Sequence, residues 1–186
     1  MNDGRLNPDT PIPGSTGGQT VGEFWAWAYS NILTNITRGL YAEFLVGTAL
    51  GAVEGTRTEW DSFDLLYGDA TIEVKSSAYL QSWPQEKPSA IAWGISPSTW
   101  QQDESAQDQE PPADCYVFCV YREKKDRSPS KVLDLKEWEF YVVPTKVIRE
   151  QLSGQKTVVH SRIRSLTDPV TYPRLRERVD EALAHK

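Results

Sequence analysis

Two runs of alternating character flank the dipeptide Gly68-Asp69, and no other stretch constrains the chain more tightly. Residues 62–67 and 70–80 read as strands, and a two-residue loop with glycine first suits a type II′ turn. In that register Tyr67 faces Ala70, Leu65 faces Ile72 and Phe63 faces Val74, which is an apolar side fit for a core. The opposite side pairs Leu66 with Thr71, Asp64 with Glu73 and Ser62 with Lys75. Two carboxylates are thereby set across from one another with Cβ atoms about 5 Å apart. Like charges in that position are destabilising unless something cationic sits between them. Lys75 supplies part of that charge, and a divalent ion would supply more.

Beyond Lys75 the same side of the strand continues with Ser77 and then Tyr79 and Gln81, whereas Ile72, Val74, Ala78 and Leu80 form the other. Ser77 and Gln81 are therefore candidate substrate contacts. Upstream, residues 36–53 read as a helix whose only charges are Arg38 and Glu43. At 100° per residue Glu43 falls within about 60° of Ile36, Gly39, Leu40, Val46, Gly47 and Leu50. A carboxylate in an apolar stripe needs a partner, because burying it alone is costly. Arg38, Arg57 and Lys75 are candidates for an ion pair, and a metal ion is the other. Gly39 and Gly47, one turn either side, leave room for a close approach.

Glu43, Asp64, Glu73 and Lys75, in that order on helix, strand and strand, resemble the PD-(D/E)XK nuclease superfamily. The resemblance runs through RGLYAEFLVGTALG (38–51) and SFDLLYGDATIEVKSS (62–77), and departs from the named pattern at Phe63, where proline would precede the aspartate. It implies a restriction-endonuclease-like core and a Mg²⁺-dependent nuclease, most readily a DNA endonuclease, with Mn²⁺ able to substitute. By similarity Asp64 and Glu73 are metal ligands, the backbone carbonyl of Val74 is a third, Lys75 is the catalytic lysine and Glu43 the helix acid. The chemistry is coherent, since phosphodiester hydrolysis needs a nucleophile and stabilisation of charge on phosphate oxygens. The triplet alone is not specific. It recurs at Glu123-Lys124-Lys125, in a charged turn, and at Asp134-Leu135-Lys136, where Asp114 completes a formal rival. The hairpin and the preceding glutamate-bearing helix favour Glu73. The other reading is a nuclease-like fold that binds nucleic acid or protein without cutting.

The rest of the chain fits a mixed α/β domain with a central sheet flanked by helices. With 186 residues it is long enough for one domain without disulfide staples. Residues 1–19 read as a flexible arm, 20–186 as a single nuclease-like domain, and 101–113, with four acids and two prolines, as a mobile loop. Helices are expected at 20–33, 144–152 and 172–184, and further strands at 90–95, 114–121, 138–143 and 157–163. Residues 122–130 read as a charged turn. In helix 20–33, Thr20 and Glu23 have capping-box spacing.

The net charge of −6 makes nucleic acid an unobvious partner, but it is unevenly spread. Residues 1–114 hold 5 basic and 16 acidic residues, and residues 115–186 hold 15 and 10. Arg162, Arg164, Arg174 and Arg178 are thus candidate phosphate contacts, and Trp60 and Trp83 candidate stacking platforms. Cys115 and Cys119 lie on one strand ~13 Å apart, too far to bridge. With no leader-like start and no apolar run near the ~20 residues that span a bilayer, a cytoplasmic protein with no membrane partner is expected. A homodimer is compatible with cutting two strands.

Overall fold

In the computed structural model, residues 4–57, 63–95 and 113–184 are described. Thr20 and Glu23 close the expected capping box, each side chain bonded to the other's backbone N–H, and start helix α1 (Val21–Tyr29). Thr34 caps α2 (Asn35–Leu50), which ends at Gly51 with φ of 71°, the left-handed conformation that glycine adopts at low cost. Residues 4–19, read from the sequence as an arm, fold back on this region. Pro11 bridges Thr20, Gly22 N–H donates to the Pro8 carbonyl, and Arg5 donates to the carbonyls of Val53 and Gly55.

The central sheet has four strands, β1 (Leu65–Tyr67), β2 (Ala70–Ala78), β4 (Cys115–Tyr121) and β5 (Trp138–Pro144), in the order β1-β2-β4-β5. It is mixed. β1 and β2 are antiparallel in the predicted register, Leu65 with Ile72 and Tyr67 with Ala70, about a turn in which Gly68 has φ of 60°. β2 and β4 run parallel over seven residues, from Ile72 with Cys115 to Ala78 with Tyr121, and β4 and β5 are antiparallel. Strands β3 (Ala92–Gly94) and β6 (Thr157–Val159) form a separate antiparallel pair.

Both faces of the sheet are covered. On one, α2 and α6 (Leu175–Leu183) pack Val46, Leu50, Leu175 and Val179 against Ile72, Val117, Phe140 and Trp138. On the other, the β3–β6 pair, α4 (Thr145–Leu152) and α5 (His160–Arg164) pack Trp93, Val158, Ile148 and Ile163 against Phe118, Val120, Tyr141 and Val143. β4, central and buried at all seven positions, is apolar on both sides for this reason.

Two expectations are corrected. The strand read at 157–163 stops at Val159, because its partner β3 ends there: His160 N–H makes one last bond to the Ile91 carbonyl and the chain turns into α5. The charged turn read at 122–130 gives way at its last two residues to a helix, α3 (Pro129–Leu133), with Pro129 at its start where the missing N–H costs nothing. Cys115 and Cys119 are free and buried. Most of the loop read at 101–113 lies outside the described residues.

Candidate active site

β1 is short, and its end shapes the site. Asp64 N–H makes a last backbone bond to the Ile72 carbonyl at 3.1 Å. There the strand departs and the Asp64 side chain takes over, its Oδ2 accepting the Val74 N–H at 2.7 Å. In a strand the N–H and C=O of one residue leave from the same edge, so the Val74 carbonyl points to the Asp64 side and not to β4. Glu73 and Lys75 alternate with Val74 and project from the sheet face opposite α2, in register with Tyr116 and Phe118. Their side chains form an ion pair, Lys75 Nζ with Glu73 Oε1. Glu73 is 16% exposed and Lys75 32%, so the pair is sheltered but reachable by water.

From α2, Glu43 reaches the same region and is held by Arg57, whose Nε and Nη2 contact the two carboxylate oxygens at 2.5 and 3.1 Å. Arg57 is thus the partner that a carboxylate in an apolar stripe requires. Gly47 makes the approach possible: a Cβ there would lie 2.6 Å from the Val53 side chain and 3.2 Å from that of Leu65. Gly39, by contrast, faces open space.

The three acids share one electrostatic environment. Burial is the largest influence on each and pushes the Glu43, Asp64 and Glu73 carboxyls above the ordinary carboxylate range. The charge of Asp64 raises Glu43 and Glu73 further, whereas Lys75 lowers all three. Tyr116 borders them; burial, and after it the charge of Glu73, pushes its hydroxyl up to about 12, with Arg149 of α4 pulling the other way. Tyr116 and Arg149 escaped the sequence analysis, since neither belongs to the hairpin. The pairing of β4 with β2 places Tyr116 there, and the packing of α4 on the sheet places Arg149.

Glu43 and Asp64 also line a cleft of 1170 Å³ between α2, residues 50–57 and β1. Glu73 and Lys75 are not part of its wall.

Other candidates fall elsewhere. Ser77 and Gln81 are buried, Ser77 beside Val120 of the second core and Gln81 bonded to the Arg38 guanidinium and the Ala78 carbonyl. Arg162 bonds to Gln151 and Ser165, and Arg164 shares α5 with it. Arg174 and Arg178 pair with Glu177 and Glu181 on α6. Asp69 is exposed in the turn, Trp83 is half exposed, and Trp60 and Asp61 lie outside the described residues. The rival triplet is dispersed. Asp114 accepts from Thr71 at one end of the β4–β5 hairpin, and Asp134 caps a 3₁₀ turn (Leu135–Glu137) leading into the other end.

Among the described residues, no three His, Cys, Asp or Glu side chains come together tightly enough to hold an ion unaided. Asp64, Glu73 and the Val74 carbonyl offer two carboxylates and one hard neutral oxygen. That set fits Mg²⁺, which keeps several waters and uses one or two protein carboxylates. Burial raises both carboxyls, and the charge of Asp64 raises Glu73 further; a cation bound there would offset both effects. No described helix is long and apolar enough to cross a membrane. Comparison with protein-family models and with curated proteins found no match.

Proposed function

We propose that the protein is a Mg²⁺-dependent nuclease of the PD-(D/E)XK kind, acting on DNA as an endonuclease, on a restriction-endonuclease-like core. One observation carries the reading: Asp64 completes the β2 edge at Val74, one residue from Glu73 and beside Lys75. Asp64, Glu73 and the Val74 carbonyl would hold the metal, which would supply charge stabilisation at the phosphate and a more acidic water. Lys75, beside Glu73, would orient the attacking water and screen charge on the phosphate oxygens. Glu43, anchored by Arg57, keeps a second negative group behind Asp64 and raises its affinity for a cation. The two buried free cysteines suit a reducing compartment, and we place the protein in the cytoplasm.

The test is cleavage of DNA substrates of several topologies with and without Mg²⁺. Asp64→Ala and Glu73→Ala should each abolish metal-dependent cleavage while circular dichroism stays unchanged; activity retained in both ends the assignment. A second reading has its own support. The Lys75–Glu73 and Arg57–Glu43 pairs neutralise two acids without any metal, which suits a protein that binds nucleic acid or a protein partner without cutting. Calorimetric titration with Mn²⁺ separates the two readings, because only the nuclease binds it in a manner that depends on Glu73.

A further inference from the structure

The cleft beside Asp64 has a size, a lining and a direction that specify more than a metal site. Its 1170 Å³ exceeds what a drug-sized ligand occupies and suits a short run of unpaired nucleotides. Because Glu43 and Asp64 face into the cleft, a phosphate approaching them from this side must come with a strand that fits it.

The walls suit a single strand. Tyr29, Tyr41, Phe44 and Phe63 present aromatic rings, and Tyr29 and Phe44 are 46% and 52% exposed. Unpaired bases stack on exposed rings whatever their sequence. Arg176, also in the wall, is held by the Leu50 carbonyl at 2.9 Å and the Tyr67 hydroxyl at 3.3 Å, and makes no ion pair among the described residues. Both acceptors are neutral; the Asp180 carboxylate, which accepts from the Tyr67 hydroxyl, acts on the guanidinium without forming an ion pair with it, so charge remains for an anion. Leu50 lies two turns along α2 from Glu43, roughly 10 Å at 1.5 Å per residue. Cation and carboxylates are therefore set apart along the cleft that they and the rings line.

We infer that this cleft binds an unpaired nucleic-acid strand, its bases on Tyr29 and Phe44 and a backbone phosphate at Arg176, and so directs the proposed nuclease to single-stranded segments. The inference rests on the nuclease reading for its consequence, but binding is measured separately. Anisotropy of a fluorescein-labelled oligothymidylate is recorded in EDTA, where metal-dependent cleavage does not intervene, against a blunt duplex carrying the same label. The single strand should bind the more tightly. Tyr29→Ala/Phe44→Ala should weaken its binding about tenfold or more, given the usual worth of a stacking ring. Arg176→Gln should lower affinity and flatten its salt dependence by about one phosphate contact. Both ring positions are half exposed, so circular dichroism should not change. Equal or tighter duplex binding, no binding of the single strand, or an unaltered affinity in the double-ring variant overturns the inference. Cleavage of duplex DNA alongside any of those results leaves the nuclease reading standing. Single-strand binding without metal-dependent cleavage supports the cleft and removes the nuclease reading.

Discussion

Replacing Asp64 by asparagine and by alanine separates what its charge does from what its hydrogen bond does. The bond to Val74 N–H is short, 2.7 Å, and among the described residues it is the one that closes the β2 edge after β1 departs. Asparagine keeps an acceptor oxygen there, whereas alanine leaves the N–H bare. Leaving a buried donor unsatisfied costs about 1–3 kcal/mol. For a chain of this size, 1 kcal/mol moves Tm by about 2–4 °C, so alanine should melt about 2–12 °C below asparagine. The charge works in the other direction. Burial holds the Asp64 carboxyl above its ordinary range, so its ionised form costs stability at neutral pH in the absence of metal. Asp64→Asn should therefore melt no lower than the parent. With a divalent ion the order reverses. An ion at 100 times its Kd adds about 2.7 kcal/mol, about 5–11 °C here, to the parent and nothing to either variant. Differential scanning fluorimetry with and without Mn²⁺ measures all of this. A Mn²⁺ shift that survives in Asp64→Asn, or an asparagine variant that melts with the alanine one well below the parent, refutes the reasoning.

The same raised carboxyls set a pH dependence. Their folded values exceed their unfolded ones, so the folded state holds extra protons just above the ordinary carboxylate range; metal-free stability contributed by Glu43, Asp64 and Glu73 should fall as pH rises through that window. Metal competes with those protons, and the Mn²⁺-induced shift in Tm should shrink on going from pH 8 to pH 5, as read by the same scan. Far from the site, Leu175→Ala removes a fully buried side chain between α6 and the sheet and should cost about 2–5 kcal/mol in urea unfolding, with Mn²⁺ affinity unchanged.

What the sequence revealed and what it hid follow from the range of the interactions. The β1–β2 register is dictated by a two-residue turn, and Gly68 takes the positive φ that its place requires, so Asp64, Glu73 and Lys75 could be set together from local pattern alone. The capping box of α1 is equally local. The parallel neighbour of β2 is not: β4 enters about forty residues later, and nothing in either strand announces the direction of pairing. Ser77 shows the consequence. Alternation marks it as lying on an open polar side, yet that side is roofed beyond Lys75 by the second layer, in a row with Val120. Glu43's need for a partner was legible, but the choice of Arg57 over Arg38 was not. Arg38 is buried among the Leu33 carbonyl, Asn35 and Gln81, a set of neutral acceptors that only the folded chain assembles.

The unequal support of the two hairpin strands has a mechanical meaning. β2 is riveted to β4 over seven residues, and Glu73, Val74 and Lys75 move only as the sheet moves. β1 has three paired residues, and Asp64 is tethered at its end by one backbone bond and one side-chain bond. One jaw is fixed and the other is hinged at Gly68. Substitutions in the hinged jaw can therefore retune the gap between the acids while the sheet's interior stays as it was.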